Sequence, residues 1–315
     1  MKRSTIPVAL LAASLFGIVI LGALAVEEPA ATPIPDLPRS APGPLIVIDI
    51  GHGGRDPGAT YRLADGSVLS EHAIAYDIGA RLFSALQSQH TVRVRSIIQF
   101  PQRPRPDNRR VPQSESAAIL ETEPPCDLSQ VETRTAVNLR WMLSNTIANR
   151  EYMESGNRAV TMFLSLHVDA RASNELDGVA LYLPPQSLGT SAVSAGPEYS
   201  RYEQARLYFA GLMPTRPGQD SRATSTALAE LMRDDLEKAG VRMCDLPGTP
   251  RDEHSSNYPA VLNYNQIPAR LLIEVGSLTS PVDRDHLTEP AYRQKIAEAL
   301  ADAVGRFGRE SMRSY

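Results

Sequence analysis

Two hydrophobic rhythms alternate along this chain. Short apolar runs occur at 45–50, 160–166, 178–183 and 269–273, a shorter one at 241–244, and an alternating one at 91–97. Runs of this length, rich in Val, Ile and Leu, predict strands buried in a sheet. Between them apolar residues recur every three or four positions. Ser70 reads as an N-cap opening a helix to about Gln89, with Ile74, Ile78, Leu82 and Ala85 on its inward stripe. Further helices are predicted over about 129–150, near 200–211, over 222–239 with Gly240 as its stop, and over 289–306. Alternating strands and helices define an α/β fold, a mixed, mainly parallel sheet with helices on both faces. Residues 99–125 are a Pro- and Arg-rich insertion with no periodic core signal, and 185–220 are mixed.

The first 26 residues stand outside that pattern. Lys2 and Arg3 precede an uncharged run from Ile6 to Ala25 that ends in Ala23-Leu24-Ala25. The small-x-small ending suits a signal peptidase, and the length approaches the roughly 20 residues that span a bilayer. The segment is therefore a cleaved signal peptide or an uncleaved N-terminal membrane anchor. Either places the remainder outside the cytoplasm, as an exported, periplasmic protein. Residues 27–43 are Pro- and Ala-rich and read as a tether, leaving 44–315 as one expected catalytic domain.

Charge narrows the partners. The formal net charge is −4, so no basic footprint speaks for nucleic acid. Cys126 and Cys244 are far apart in sequence, without a metal-type spacing. In an oxidising compartment such a pair suggests one disulfide, with two free thiols as the alternative.

Four ionisable residues break the apolar runs. His52 follows strand 45–50, His167 follows 160–166, and Glu274 follows 269–273. In open α/β sheets the carboxyl ends of strands are where ligands bind. Glu71 shares the inward stripe of Ile74 and Ile78, where a lone carboxylate costs several kcal/mol. Two histidines and a carboxylate form a usual set for a catalytic Zn2+, with the fourth position open to water. Glu274 then suits a general base. Each has a plainer reading taken singly: a loop histidine, a helix N-terminal charge, a core histidine, or a glutamate paired with Arg270 or Arg284. His72 is expected to be solvated, and His254 to line the cleft if any other histidine does.

These residues lie in "VIDIGHGGRDPGA" (47–59), "SEHAIAYDIGARL" (70–82), "SLHVDA" (165–170) and "IPARLLIEVGSLTSPVDRDHL" (267–287). In that order the chain resembles the zinc-dependent N-acetylmuramoyl-L-alanine amidases of the AmiA/AmiB/AmiC and CwlV type. The resemblance implies hydrolysis of the amide joining N-acetylmuramic acid to L-alanine in peptidoglycan. It matches His52, Glu71 and His167 to the zinc ligands and Glu274 to the catalytic glutamate. Departures at Ile50, Asp169, Ser277 and Ser280 touch none of these four. It further implies a LytM-type activator, with residues 185–220 and Glu203 in the place where some members carry a plugging helix. Two other readings stay open: a zinc peptidase on another exported amide, and a non-catalytic wall-binding protein on the same fold.

Overall fold

Every side chain of β1 (Leu45–Ile50) is buried, and that sets its place inside the sheet. The structure is a computed structural model. It describes residues 43–90, 92–100, 108–113, 118–155, 161–170, 177–186, 193–212, 221–244 and 258–313. The expected signal or anchor segment and all of the tether but residue 43 lie outside these, as does His254. Among the described residues no helix is long and apolar enough to cross a membrane.

β1 pairs in parallel with β4 (Arg93–Ser96) on one side and with β7 (Thr161–Asp169) on the other. β7 pairs in parallel with β9 (Ala269–Ser277), and β8 (Ala180–Tyr182) closes that edge antiparallel to β9. The order is β4-β1-β7-β9-β8. Two small hairpins stand apart from the sheet: β2 (Thr60–Arg62) with β3 (Val68–Ser70), and β5 (Ile119–Leu120) with β6 (Cys126–Asp127).

Strand alternation sends neighbouring side chains to opposite faces. Ile50 and Leu166 meet Gly79 of α1 (Glu71–Gln89). Asp49 and Ser165, one residue earlier on each strand, instead meet each other, and Asp49 also meets Arg140 of α2 (Thr133–Ser155). α1 packs with α7 (Pro290–Arg313), and α7 with α4 (Ser221–Lys238). On the other face α2 is joined by α3 (Glu203–Phe209) and α5 (Ala260–Asn263). The last helix shows why it docks: Ile296, Leu300, Val304 and Phe307 form one stripe and are buried, each stabilising the fold by roughly 1.5–3 kcal/mol. α6 (Pro281–Thr288) precedes it, capped by Ser280, whose hydroxyl accepts from the Asp283 amide.

The strand expected at 241–244 is reduced to a single bridge, Val179 with Met243. The chain leaves α4 through Gly240 at φ 70° and meets the sheet only at its outer edge. The expected disulfide is absent: Cys126 and Cys244 are both buried and are not bonded to each other. Cys126 belongs to the hairpin joined to the β4 edge, where Gln99 and Glu121 extend the ladder. Cys244 lies beyond the β8 edge, its amide donating to the Val179 carbonyl. Five strands spaced about 4.8 Å apart separate thiols whose Cα atoms would need to lie within about 7 Å.

Candidate metal centre

The centre is built on three adjacent strands and the start of one helix. His52 follows β1, His167 lies in β7 and Glu274 in β9, directly opposite His167 in the register. Both strands therefore run past the residues expected to end them, and His167 and Glu274 are strand residues on one face of the sheet. Glu71 is the first residue of α1, placed by the Ser70 cap, whose hydroxyl accepts from the Ala73 amide at 3.3 Å.

Glu71 is the hub. Its Oε1 lies 3.0 Å from His52 Nε2 and 2.9 Å from His167 Nδ1, and accepts from the Val168 amide at 3.1 Å. Its Oε2 accepts from the Ala59 amide at 2.8 Å, while its own amide donates to the Ala59 carbonyl at 2.8 Å. The two imidazoles stand edge to face with centroids 5.1 Å apart. One ligand atom from each of His52, Glu71 and His167 lies within 4.8 Å of the others. A single small cation fits among three such donors.

Electrostatics follow from this geometry. Burial opposes the Glu71 charge, but hydrogen bonds and attraction from His167 and His52 outweigh it and hold the carboxyl well below its usual range. Burial likewise opposes the protonated form of His52, yet Glu71 and then Asp56 raise its pKa above the ordinary value.

Glycines make the approach possible. A Cβ on Gly51 would fall 2.3 Å from the His167 ring, and one on Gly58 would fall 2.5 Å from Glu71 Oε2. His52 itself adopts φ 59°, a left-handed conformation uncommon for a residue with a side chain. The loop is glycine-rich because imidazole and carboxylate press on its backbone from both sides.

Three supports escaped the sequence reading. Asp56 Oδ2 meets His52 Nδ1 at 3.0 Å, a third carboxylate–histidine contact, of the kind that orients a metal-binding imidazole. Arg140 reaches across from α2 to Asp49 and to the carbonyls of Ile50 and His52, gripping the loop from below. The remaining Asp49 oxygen accepts from Ser165 at 2.6 Å. An aspartate inside the apolar run of β1 was the visible signal, since such a charge needs a partner.

His72 corrects an expectation. It is fully buried, not solvated, because α1 is covered by the glycine loop on that side as well as by the sheet. Its Nδ1 lies 2.7 Å from the Gly51 carbonyl, an acceptor only, so Nδ1 carries the proton. Nε2 is buried without a partner among the described residues. Burial therefore lowers its pKa to about 4.

Other expectations resolve by position. Arg270 donates to the carbonyls of Leu262 and Ile267, and Arg284 to those of Leu278 and Thr279. Glu203 does not join the cluster. It pairs with Arg150 of α2 at 3.0 Å, and α3 is held on the outer side of α2 by Tyr208 against Trp141. A cavity of about 240 Å³ opens beside His52 and His167, walled by Arg140, Leu128, Ala136 and α5. No described residue of 193–212 lines it.

Fold and site together define an open α/β protein with a candidate three-ligand metal centre at the carboxyl edge of its sheet. The N-acetylmuramoyl-L-alanine amidase family model matches residues 46–306. The chain belongs to that family. It is 23% identical over 285 residues to the N-acetylmuramoyl-L-alanine amidase AmiC of Neisseria meningitidis, covering 88% of this chain and 55% of AmiC. It thus spans about half the length of the curated relative it matches. Two solved structures share the fold. The CwlD amidase of Clostridioides difficile, solved with the GerS lipoprotein, is 21% identical with a TM-score of 0.50, covering 84% of this chain and 98% of its own. The amidase Ami1 of Mycobacterium smegmatis is 18% identical with a TM-score of 0.50, covering 85% and 98%.

Proposed function

We propose that the protein is a zinc-dependent hydrolase of the amide between N-acetylmuramic acid and L-alanine in peptidoglycan. The observation that carries this is the convergence of His52, Glu71 and His167 within 4.8 Å, one position along the sheet from Glu274, in a chain of this family. The donor set fits Zn2+, two imidazoles and one carboxylate with a position left for substrate. Bound zinc would supply Lewis-acid polarisation of the scissile carbonyl and make water easier to deprotonate.

The protein's own residues do the rest. His52 and His167 are oriented as ligands, the first by Asp56. Glu71 stays ionised because both imidazoles lower its pKa. Glu274 would accept the proton of the attacking water and deliver it to the leaving amine, so that the alanine departs as a neutral amine. Its place opposite His167 in the parallel register keeps it within one strand spacing, about 4.8 Å, of a ligand's backbone. The uncharged run from Ile6 to Ala25 supports export to the compartment that holds this substrate, with the segment cleaved or kept as an anchor. A LytM-type activator is a further proposal, resting on family resemblance and not on a plug formed by Glu203.

Mass spectrometry of purified peptidoglycan treated with the full-length protein tests this reading. Peptides with a free N-terminal alanine are expected, lost on chelation and restored by zinc. Glu274→Gln is expected to keep its zinc and lose about 10²–10⁴-fold in rate. Products cut elsewhere, or hydrolysis indifferent to chelator, would overturn it.

A further inference from the structure

Arg55 stands where two cavities meet. It lines the cavity of about 240 Å³ beside His52 and His167 and also a second of about 950 Å³. Its Nε donates to the Ser129 carbonyl at 2.7 Å, which fixes the guanidinium at that junction. The second cavity also presents Arg134 and Arg201, with Glu132 and Glu198 as its acidic members. Arg55 and Glu132 are only loosely paired, at 3.9 Å, and both are largely exposed. The far wall is supplied by residues 193–201, held to α2 through Tyr199, whose hydroxyl accepts from Asn138 at 2.8 Å. Residues 193–201, the described part of the segment expected to block the centre that lines this cavity, thus form the side of a groove leading from it.

Three arginines against two glutamates make a local positive excess in a chain whose net charge is −4. A guanidinium binds a carboxylate through two parallel N–H donors, and its charge draws anionic ligands into a cleft. Two residues of extended peptide reach roughly 7 Å, and Arg55 shares the lining of the smaller cavity with His52 and His167. We propose that this groove is a carboxylate-recognition subsite: Arg55 receives a free carboxylate on the residue that follows the alanine, and Arg134 extends the contact outward. The substrate class is then an N-acyl-L-alanyl peptide whose next residue bears a free carboxylate, and the amidated form is disfavoured. This rests on the hydrolase reading above, which it deepens by assigning specificity.

The test compares an N-acetylmuramyl-L-alanyl-glutamate peptide with its amidated counterpart on the full-length protein. Hydrolysis is measured, and binding is measured separately by titration calorimetry on the chelator-treated protein. The acid is expected to be preferred by about 10-fold, the effect of one well-formed charged contact, mainly in KM. Arg55→Gln is expected to bring the acid-to-amide ratio near one in both measurements. Glu132→Gln, which removes the competing carboxylate, is expected to raise that ratio. Equal ratios in the parent protein and Arg55→Gln would overturn the subsite. Failure of the hydrolase reading would look different, with neither peptide cut while the binding ratio still responds to Arg55.

Discussion

At the scale of single residues, the centre is a set of side chains held by contacts they could not make in isolation. His72 shows this most directly. A buried imidazole that donates from Nδ1 to the Gly51 carbonyl has no place for a second proton on Nε2, so its pKa falls to about 4. The unfolded chain, with an ordinary value near 6.5, binds more protons than the folded one between these limits. Stability from this residue is therefore unaffected above pH 6.5 and declines as pH falls toward 4, by up to ~3 kcal/mol. The raised pKa of His52 works in the opposite sense in the metal-free protein. The two are separated by comparing parent and His72→Asn, whose amide can still donate to Gly51. With chelator present, urea midpoints at pH 7 and pH 5 should differ less in the variant. An unchanged difference would show that His72 is not the group responsible.

At the scale of elements, the loop between β1 and α1 is the decisive unit, and Gly58 tests it. Its φ is 68°, and a Cβ there would meet Glu71 Oε2 at 2.5 Å and Glu71 Cβ at 2.8 Å. Gly66, in the β2–β3 turn, has φ 86° with open space around it. Alanine at Gly66 should cost only the backbone term, about 1 kcal/mol. Alanine at Gly58 should cost that and more, because the Ala59–Glu71 pairing must give way. Zinc affinity should fall by about 10–100-fold, the scale of a disturbed ligand support, and stay unchanged in Gly66→Ala. Calorimetric zinc titration and denaturation midpoints read both effects, and equal affinities in the two variants would argue against the clash. The same loop is gripped from α2 by Arg140, so strand, loop and helix form one mechanical piece.

At the scale of the whole molecule, a metal bound by His52, Glu71 and His167 would tie together β1, α1 and β7, segments up to 115 positions apart in the chain. A ligand held only by the folded state adds roughly 4 kcal/mol at a thousandfold excess over its dissociation constant. For a chain of this size that is about 10 °C in melting temperature. Scanning calorimetry should show a shift of this order on chelation, and none in His52→Ala. A chelator effect of equal size in both would move the metal elsewhere. The strand and helix order was legible in advance because burial on one face or both leaves periods of two, of 3.6 or unbroken runs. Less legible were the short hairpins β2–β3 and β5–β6 and the helices α5 and α6, too brief to show a period.

What the sequence by itself determined were the types and order of the main elements and four candidate site residues. His52, Glu71, His167 and Glu274 interrupt apolar patterns, and a polar group in such a place needs a partner whatever the fold. What only the tertiary structure decided is who that partner is. Nothing local places β9 beside β7, so the opposition of Glu274 to His167 required the sheet order. Nothing local brings Arg140 to Asp49, 91 positions away. The helical wheel put His72 on the side away from Glu71's stripe, but not the glycine loop that covers that side. An even pair of cysteines suggested a bond, and the sheet's width separates them. Periodicity records which face of an element is covered; the covering element and its distance are fixed only when the whole chain has packed.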